Sequence, residues 1–379
     1  MIVAKNQNLV LLFLGSFLAQ IIQVGTFSLF LSQKLDGLDV SLSLIGWFVG
    51  IQWVVVLLLA PFAPFLGAKL GLERLNILSS LVMITGLFAA LSEEVWLLAI
   101  SSVLLGAALI VRWVACDALI VRFVSTQKLG QSIGIHEALM GFGIAAGPLF
   151  FIFLTLDQVV YAMICLAVFS TLCFQLVRPQ NDHIGREENI AMQKEDLFLL
   201  KIALIMALVG GFIETAAVAF LPFYFEDDGF SLQSSAWFVS AFGLGGTLLQ
   251  LPLGLLADRV GYRLAQLMAC LVALLGLLGL YFSGSSFLAI FGTLFILGGA
   301  IGAFNTLAVI QAGSEISPKK TASSMAYIAA AYTFGGIVGP VVTSNVLHVF
   351  PADAILVTYS IIIITVAVTM LSGRRDRIA

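Results

Sequence analysis

Apolar runs of 18 to 30 residues follow one another along nearly the whole chain, separated by short polar or glycine-bearing breaks. They fall at about 9–31, 42–66, 75–92, 95–124, 129–155, 158–177, 198–224, 232–257, 263–283, 286–314, 322–349 and 351–372. A helix needs roughly 20 apolar residues to cross a bilayer, so the pattern predicts twelve membrane spans, six in each half. The halves also share local sequence. Trp47-Phe48-Val49 leads into Pro64-Phe65-Leu66-Gly67-Ala68-Lys69-Leu70-Gly71, and about 190 residues later Trp237-Phe238-Val239 leads into Gly254-Leu255-Leu256-Ala257-Asp258-Arg259-Val260-Gly261. Gly143-x-x-x-Gly147-Pro148 returns as Gly335-x-x-x-Gly339-Pro340, with Gly106 and Gly298 upstream. Such repetition predicts an all-α integral membrane protein made of two pseudo-symmetric six-helix bundles. Its parts are a first bundle over 1–177, a cytoplasmic linker over 178–197 and a second bundle over 198–379.

Composition removes the soluble alternatives. With 60% hydrophobic and 10% charged residues and a mean hydropathy of +1.09, the chain has too few charges to cover a globular surface. The net charge of -3 adds nothing, because the charges here report topology. Of the 18 Lys and Arg, all but Lys34 and Arg112 fall on one side of the expected spans, which places both termini in the cytoplasm. Asp36, Asp39, Glu93, Glu94, Glu226, Asp227 and Asp228 fall on the other side. The first apolar run is too long for a signal-peptide core and reads as span 1. Cys116, Cys165, Cys173 and Cys270 lie inside spans without paired spacing, as buried small hydrophobes. No nucleotide-binding loop appears, so an ATP-driven engine is excluded, leaving a gradient or facilitated diffusion. Nor do a nucleophile, base and orienter sit at readable spacing, so an enzyme is not expected. No cofactor and no metal are expected either.

At the break between spans 8 and 9, Gly254-Leu255-Leu256-Ala257-Asp258-Arg259-Val260-Gly261-Tyr262-Arg263 resembles the G-x-L-a-D-r-x-G-r-k element of the major facilitator superfamily. That resemblance implies two six-helix bundles that rock about a shared cavity. It also assigns gating roles to Gly254, Asp258, Arg259 and Gly261, with Asp258 and Arg259 latching one conformation. Physically, Asp258 suits a helix amino terminus and a basic partner. The first-half copy departs from the element, with Ala68 in place of the Asp, Lys69 in place of the Arg and Glu73 at the later basic position. Lys69 and Gly71 are the gating candidates there, and the second half is expected to carry more of the gating. In span 5, Gly141-Phe142-Gly143-Ile144-Ala145-Ala146-Gly147-Pro148 resembles an element of proton-coupled exporters in the same superfamily, although Phe150-Phe151 replace its trailing glycines. Small residues four apart also permit close helix packing, and their recurrence in span 11 favours architecture.

Ionisable groups at membrane depth cost roughly 2.5–3.5 kcal/mol each, so each needs a reason. Arg112 stands about 26 Å along the helix from Val95 and about 18 Å from Val124, near the midplane, and resembles the span 4 Arg of proton-coupled drug exporters. Its structural alternative is an ion pair with Glu137 or Asp117 that fixes the helices. Asp117 is five residues on and off the same face. Glu214 in span 7 lies about 20 Å along the helix from Lys201, with no basic residue within two turns. A lone carboxylate there can take up and release a proton. His136-Glu137 in span 5 offers a second titratable pair, of which Glu137 is favoured for the cavity because neighbours on a helix point about 100° apart.

Glu214, Glu137, Arg112 and Asp117 are thus the proton-coupling candidates. In the resembled family spans 1, 4, 7 and 10 line the cavity. This makes Gln20, Gln23, Trp113, Asn305 and Thr306 substrate-contact candidates, with Tyr327 and Tyr332 of span 11 and Gln52 and Trp53 of span 2 in the same group.

The reading that follows is a secondary active transporter of a small organic molecule, working by alternating access and proton-coupled efflux. The alternative is a proton-coupled uptake symporter for a sugar, organic acid or metal chelate. Expected partners are the bilayer, the substrate and protons, without nucleic acid. The chain is expected to act as a monomer in a bacterial inner (plasma) membrane.

Overall fold

Backbone N–H and C=O groups in hydrocarbon must find partners within their own segment, so each apolar run folds as a helix. The computed structural model describes residues 2–124, 129–178, 192–317 and 320–372. Most of the expected linker, 179–191, lies outside the described residues. Among the described residues, twelve helices are long and apolar enough to cross a membrane. Spans 1 to 6 are Gln7–Asp36, Leu42–Leu59, Leu72–Ala89, Val95–Phe123, Gln131–Phe153 and Leu156–Leu176. Spans 7 to 12 are Lys201–Glu226, Leu232–Val260, Tyr262–Phe282, Phe287–Glu315, Ser323–Val349 and Ala354–Ser372.

All twelve expected spans are present, with no strand among the described residues. Span 1 outruns its apolar stretch through Ser32, Gln33 and Lys34 to Asp36. Span 2 stops at Leu59, where a turn holding Pro61 precedes a separate helix, Ala63–Leu70.

The chain divides into two compact units, Met1–Arg186 and Glu187–Ala379. Inside the first unit span 1 packs on spans 5 and 6, span 2 on span 4, and span 3 on spans 4 and 6. Inside the second, span 7 packs on spans 11 and 12, span 8 on span 10, and span 9 on spans 10 and 12. The duplication seen in sequence is therefore also a duplication of helix pairing.

The repeated glycines are where those pairings are tightest. A Cβ on Gly106 would lie 2.3 Å from the Gln52 carbonyl oxygen, and one on Gly298 would lie 1.9 Å from that of Phe242. In span 5 a Cβ on Gly147 would fall 2.2 Å from Gly25 of span 1; in span 11 one on Gly339 would fall 2.1 Å from the Phe212 oxygen of span 7. These distances are sub-van der Waals contacts with backbone atoms, so close packing explains the G-x-x-x-G-P spacing in both units. Gly71 and Gly261 meet a different need: each joins two helices at φ 86° and 83°, in the left-handed region that side chains avoid.

The units differ in one backbone detail. Span 1 passes through a π-helical turn at Ile21–Thr26, with the Thr26 hydroxyl donating to the Ile21 carbonyl at 2.8 Å, whereas span 7 is α-helical throughout Lys201–Glu226. A π turn carries one extra residue and re-aims the side chains around it.

Candidate functional site

In the first unit the re-aimed side chains converge on Arg112, which is 2% exposed. Its Nε donates to Gln23 Oε1 at 2.8 Å, one terminal nitrogen donates to Gln20 Oε1 at 2.6 Å, and the other donates to Ser16 Oγ at 2.7 Å. Gln23 is itself braced, because Gln52 Nε2 donates to its carbonyl oxygen at 2.7 Å. Among the described residues no ion pair forms between Arg112 and Glu137 or Asp117. A cage of neutral oxygens takes the place of the ion pair expected as this arginine's structural alternative. Gln20 and Gln23, the expected substrate contacts of span 1, have their amide oxygens occupied by that cage.

From Ser16 the hydrogen-bonded path continues to span 5. Ser16 Oγ stands 2.9 Å from His136 Nε2 and its hydroxyl reaches Met140 Sδ at 3.5 Å. The His136 ring is 1% exposed, stacks on Phe13 at 5.7 Å between centroids, and presents Nδ1 to Asp117 Oδ1 at 3.6 Å. Glu137 is exposed beside it, and one ligand atom each of Asp117, His136 and Glu137 lies within 4.8 Å of the others. The Trp113 indole, one turn before Asp117, is within hydrogen-bonding reach of that carboxylate. Sequence separates Asp117 from the His-Glu pair by 19 residues and a polar break, so this gathering has no local signature. Ser16 and Met140 carried no signal either.

The second unit holds an acid where the first holds an amide. Glu214, at the position matching Gln23, is half-buried and shares a hydrogen bond with the Tyr332 hydroxyl of span 11. Asn305 Oδ1 on span 10 is buried with no hydrogen-bond partner. Thr306 is half-buried, Trp53 is buried, and Tyr327 is 44% exposed.

Asp258, Arg259 and Lys69 are exposed, and among the described residues no ion pair holds them. A Cβ on Gly254 would meet nothing within 4 Å. The corner is tied instead by Glu315 at the end of span 10, which accepts from Tyr262 at 2.5 Å, Arg263 at 3.0 Å and Gln311 at 3.0 Å. Gln266 Nε2 donates to Gln311 Oε1 at 2.9 Å.

The first unit has the same tie with its charges exchanged: Arg122 at the end of span 4 meets Glu73 at the start of span 3 at 3.4 Å. Glu73 matches Arg263 and Arg122 matches Glu315 under the repeat, so the exchange is readable in sequence. Outside the spans, Lys320 bonds Asp196 and holds its carboxyl below the usual range, so this ion pair persists until strong acid protonates the carboxylate.

Glu315→Gln is expected to lower stability by about 1–2 kcal/mol, and Asp258→Asn by less than about 0.5 kcal/mol. Thermal unfolding of the purified chain checks both, and equal shifts would return the tie to Asp258.

Twelve spans in two units with matching helix pairs, and charged groups kept inside spans 4, 5 and 7, define a secondary transporter rather than an enzyme. Residues 9–340 and 202–377 match the family model of the Major Facilitator Superfamily, and the chain belongs to that superfamily. It is 24% identical over 332 residues to the uncharacterised MFS-type transporter YfkF of Bacillus subtilis, covering 85% of this chain and 84% of that one. Over 144 residues it is 28% identical to the uncharacterised MFS-type transporter YE1530 of Yersinia enterocolitica, covering 37% and 36% of the two chains. Among solved structures, a mutant of the nucleoside transporter NupG superposes with a TM-score of 0.80 at 14% identity, covering 97% of this chain and 99% of that one. Another structure of NupG gives 0.76 at 15%, covering 97% and 98%. At those identities the likeness concerns the fold.

Proposed function

We propose that the protein couples export of a small organic molecule to proton entry by alternating access. The observation that carries this reading is Glu214. It is an acid partway along span 7 with no basic residue within two turns, and among the described residues no ion pair neutralises it. A carboxylate kept inside an apolar segment at a cost of roughly 2.5–3.5 kcal/mol needs a function, and exchanging a proton for substrate is one that a transporter requires. Asp117 and Glu137 supply further proton-accepting groups, with Arg112 setting the local field. Asn305, Thr306, Trp113 and Tyr327 are the proposed substrate contacts. The Lys and Arg distribution supports cytoplasmic termini, and the bacterial relatives support an inner-membrane setting.

The second reading is proton-coupled uptake of a sugar, organic acid or metal chelate. The fold shared with a nucleoside transporter is compatible with either direction.

A thermal-shift screen of the purified chain against drugs, nucleosides, sugars and organic acids finds a ligand, since binding to the folded state raises its melting point. Counterflow of that ligand is then measured in inverted vesicles with and without a pH gradient. Accumulation driven by an acid interior is the expected result. Accumulation driven by an acid exterior would establish the uptake reading, and indifference to the gradient would remove proton coupling.

A further inference from the structure

The gathering of Asp117, His136 and Glu137 is not accounted for by proton exchange alone. His136 is 1% exposed, and its Nδ1 is buried without a hydrogen-bond partner. That nitrogen faces Asp117 Oδ1 at 3.6 Å, beyond the 2.7–3.2 Å of an N–H···O hydrogen bond. The gap is instead close to the ~3.4 Å that separates two ligands on one tetrahedral ion with bonds of about 2.1 Å.

We propose that Asp117, His136 and Glu137 bind a divalent first-row transition-metal ion through His136 Nδ1 and one oxygen from each carboxylate. An imidazole with two carboxylates suits Mn²⁺, Fe²⁺, Co²⁺ or Zn²⁺.

Three further observations support the site. The ligand atoms lie within 4.8 Å of one another, so they need to close by about 1 Å to share one tetrahedral ion. Both carboxylates are exposed enough to change rotamer and close that gap, with the Asp117 side chain 51% exposed.

The far side of the ring is fixed as metal-bound imidazoles are. Ser16 Oγ, 2.9 Å from Nε2, can accept the Nε2 proton while its own hydrogen turns to Met140 Sδ, leaving the Nδ1 lone pair free.

Arg112 does not consume the negative charge. Its three close contacts are the neutral oxygens of Gln23, Gln20 and Ser16, so two carboxylates remain to balance a divalent ion. The guanidinium reaches the cluster through Ser16, the residue that faces Nε2. Its repulsion still weakens binding, which makes the site one of moderate, exchangeable affinity rather than a permanent structural centre.

The test is binding and needs no transport assay, so it stands apart from the proton-coupling reading. Full-length protein in lipid nanodiscs, stripped with a chelator, is titrated with Co²⁺ and followed by its visible ligand-field bands. The expected result is one Co²⁺ per chain, displaced by Zn²⁺. Asp117→Asn, His136→Asn and Glu137→Gln should each weaken binding at least about tenfold. His136 is buried and its replacement can impair folding, so Glu137→Gln, at an exposed position, is the decisive variant, and its metal-free melting point is compared with the parent. Equal Co²⁺ affinity in the parent and the Glu137→Gln chain, or no stoichiometric binding by the parent, overturns the site.

Discussion

Replacing Gly339 by Ala should destabilise the folded chain by about 1–3 kcal/mol, the range for overpacking a tight contact. The new Cβ would stand 2.1 Å from the Phe212 carbonyl oxygen, a backbone atom that cannot turn aside. Gly335 has the same problem with the Leu208 oxygen at 2.0 Å, and Gly211, approached from the other helix, with the Tyr332 oxygen at 2.1 Å. Three clashes along one seam mean that any of these methyls must push spans 7 and 11 apart. Since Glu214 and Tyr332 sit on that seam, the disturbance should reach their hydrogen bond as well. Gly134→Ala is the control, because a Cβ there meets nothing within 4 Å, and an Ala in a helix is if anything stabilising by about 0.5–1 kcal/mol. Unfolding of the detergent-purified variants measures both. Indistinguishable midpoints for Gly339→Ala and Gly134→Ala would show that spans 7 and 11 do not approach this closely.

Glu214→Gln should abolish gradient-driven accumulation of substrate while leaving exchange intact. The amide has nearly the size of the acid and can still hydrogen-bond to the Tyr332 hydroxyl, so the helices keep their packing. It cannot carry a proton across the cycle. Proteoliposomes holding the variant are therefore expected to equilibrate labelled with unlabelled substrate, yet fail to concentrate it when a pH gradient is imposed. Full accumulation by Glu214→Gln would move the coupling role to Asp117 or Glu137, or remove it from the protein. Tyr332→Phe, which keeps the acid and removes its partner, should retain accumulation with an altered pH profile.

Much of the fold could be read directly from the apolar runs, because in a bilayer length and hydropathy are nearly sufficient to place a helix. The duplication was visible in Trp47-Phe48-Val49 and Trp237-Phe238-Val239, and it reappears as matched helix pairs in the two units. What stayed hidden depends on contacts between residues far apart. No propensity signal marks the π turn at Ile21–Thr26, yet Gln20 and Gln23 flank or sit within it and reach Arg112 together. Ser16, 96 residues before Arg112 and 120 before His136, joins the two through one hydroxyl. Asp258 attracted attention through its resemblance to a known element, although the bonds at that corner run through Glu315, nearly sixty residues further on. Helical angle separates His136 from Glu137 without saying which contacts either one makes. Glu137 is the exposed one, but burial gives His136 its contacts with both Ser16 and Asp117.

The exchanged charges at the two corners have an electrostatic consequence. A helix carries partial positive charge at its amino end and partial negative charge at its carboxyl end, each interaction with a formal charge being worth about 0.3–1 kcal/mol. In the first unit Glu73 lies in the first turn of span 3 and Arg122 in the last turn of span 4, so both sit where the macrodipoles favour them. In the second unit Arg263 opens span 9 and Glu315 closes span 10, so both oppose the macrodipoles. That corner offsets the opposition by drawing Tyr262 and Gln311 to the same carboxylate, and with the Arg263 side chain 52% exposed against 15% for Arg122 it is the fastening more sensitive to ionic strength.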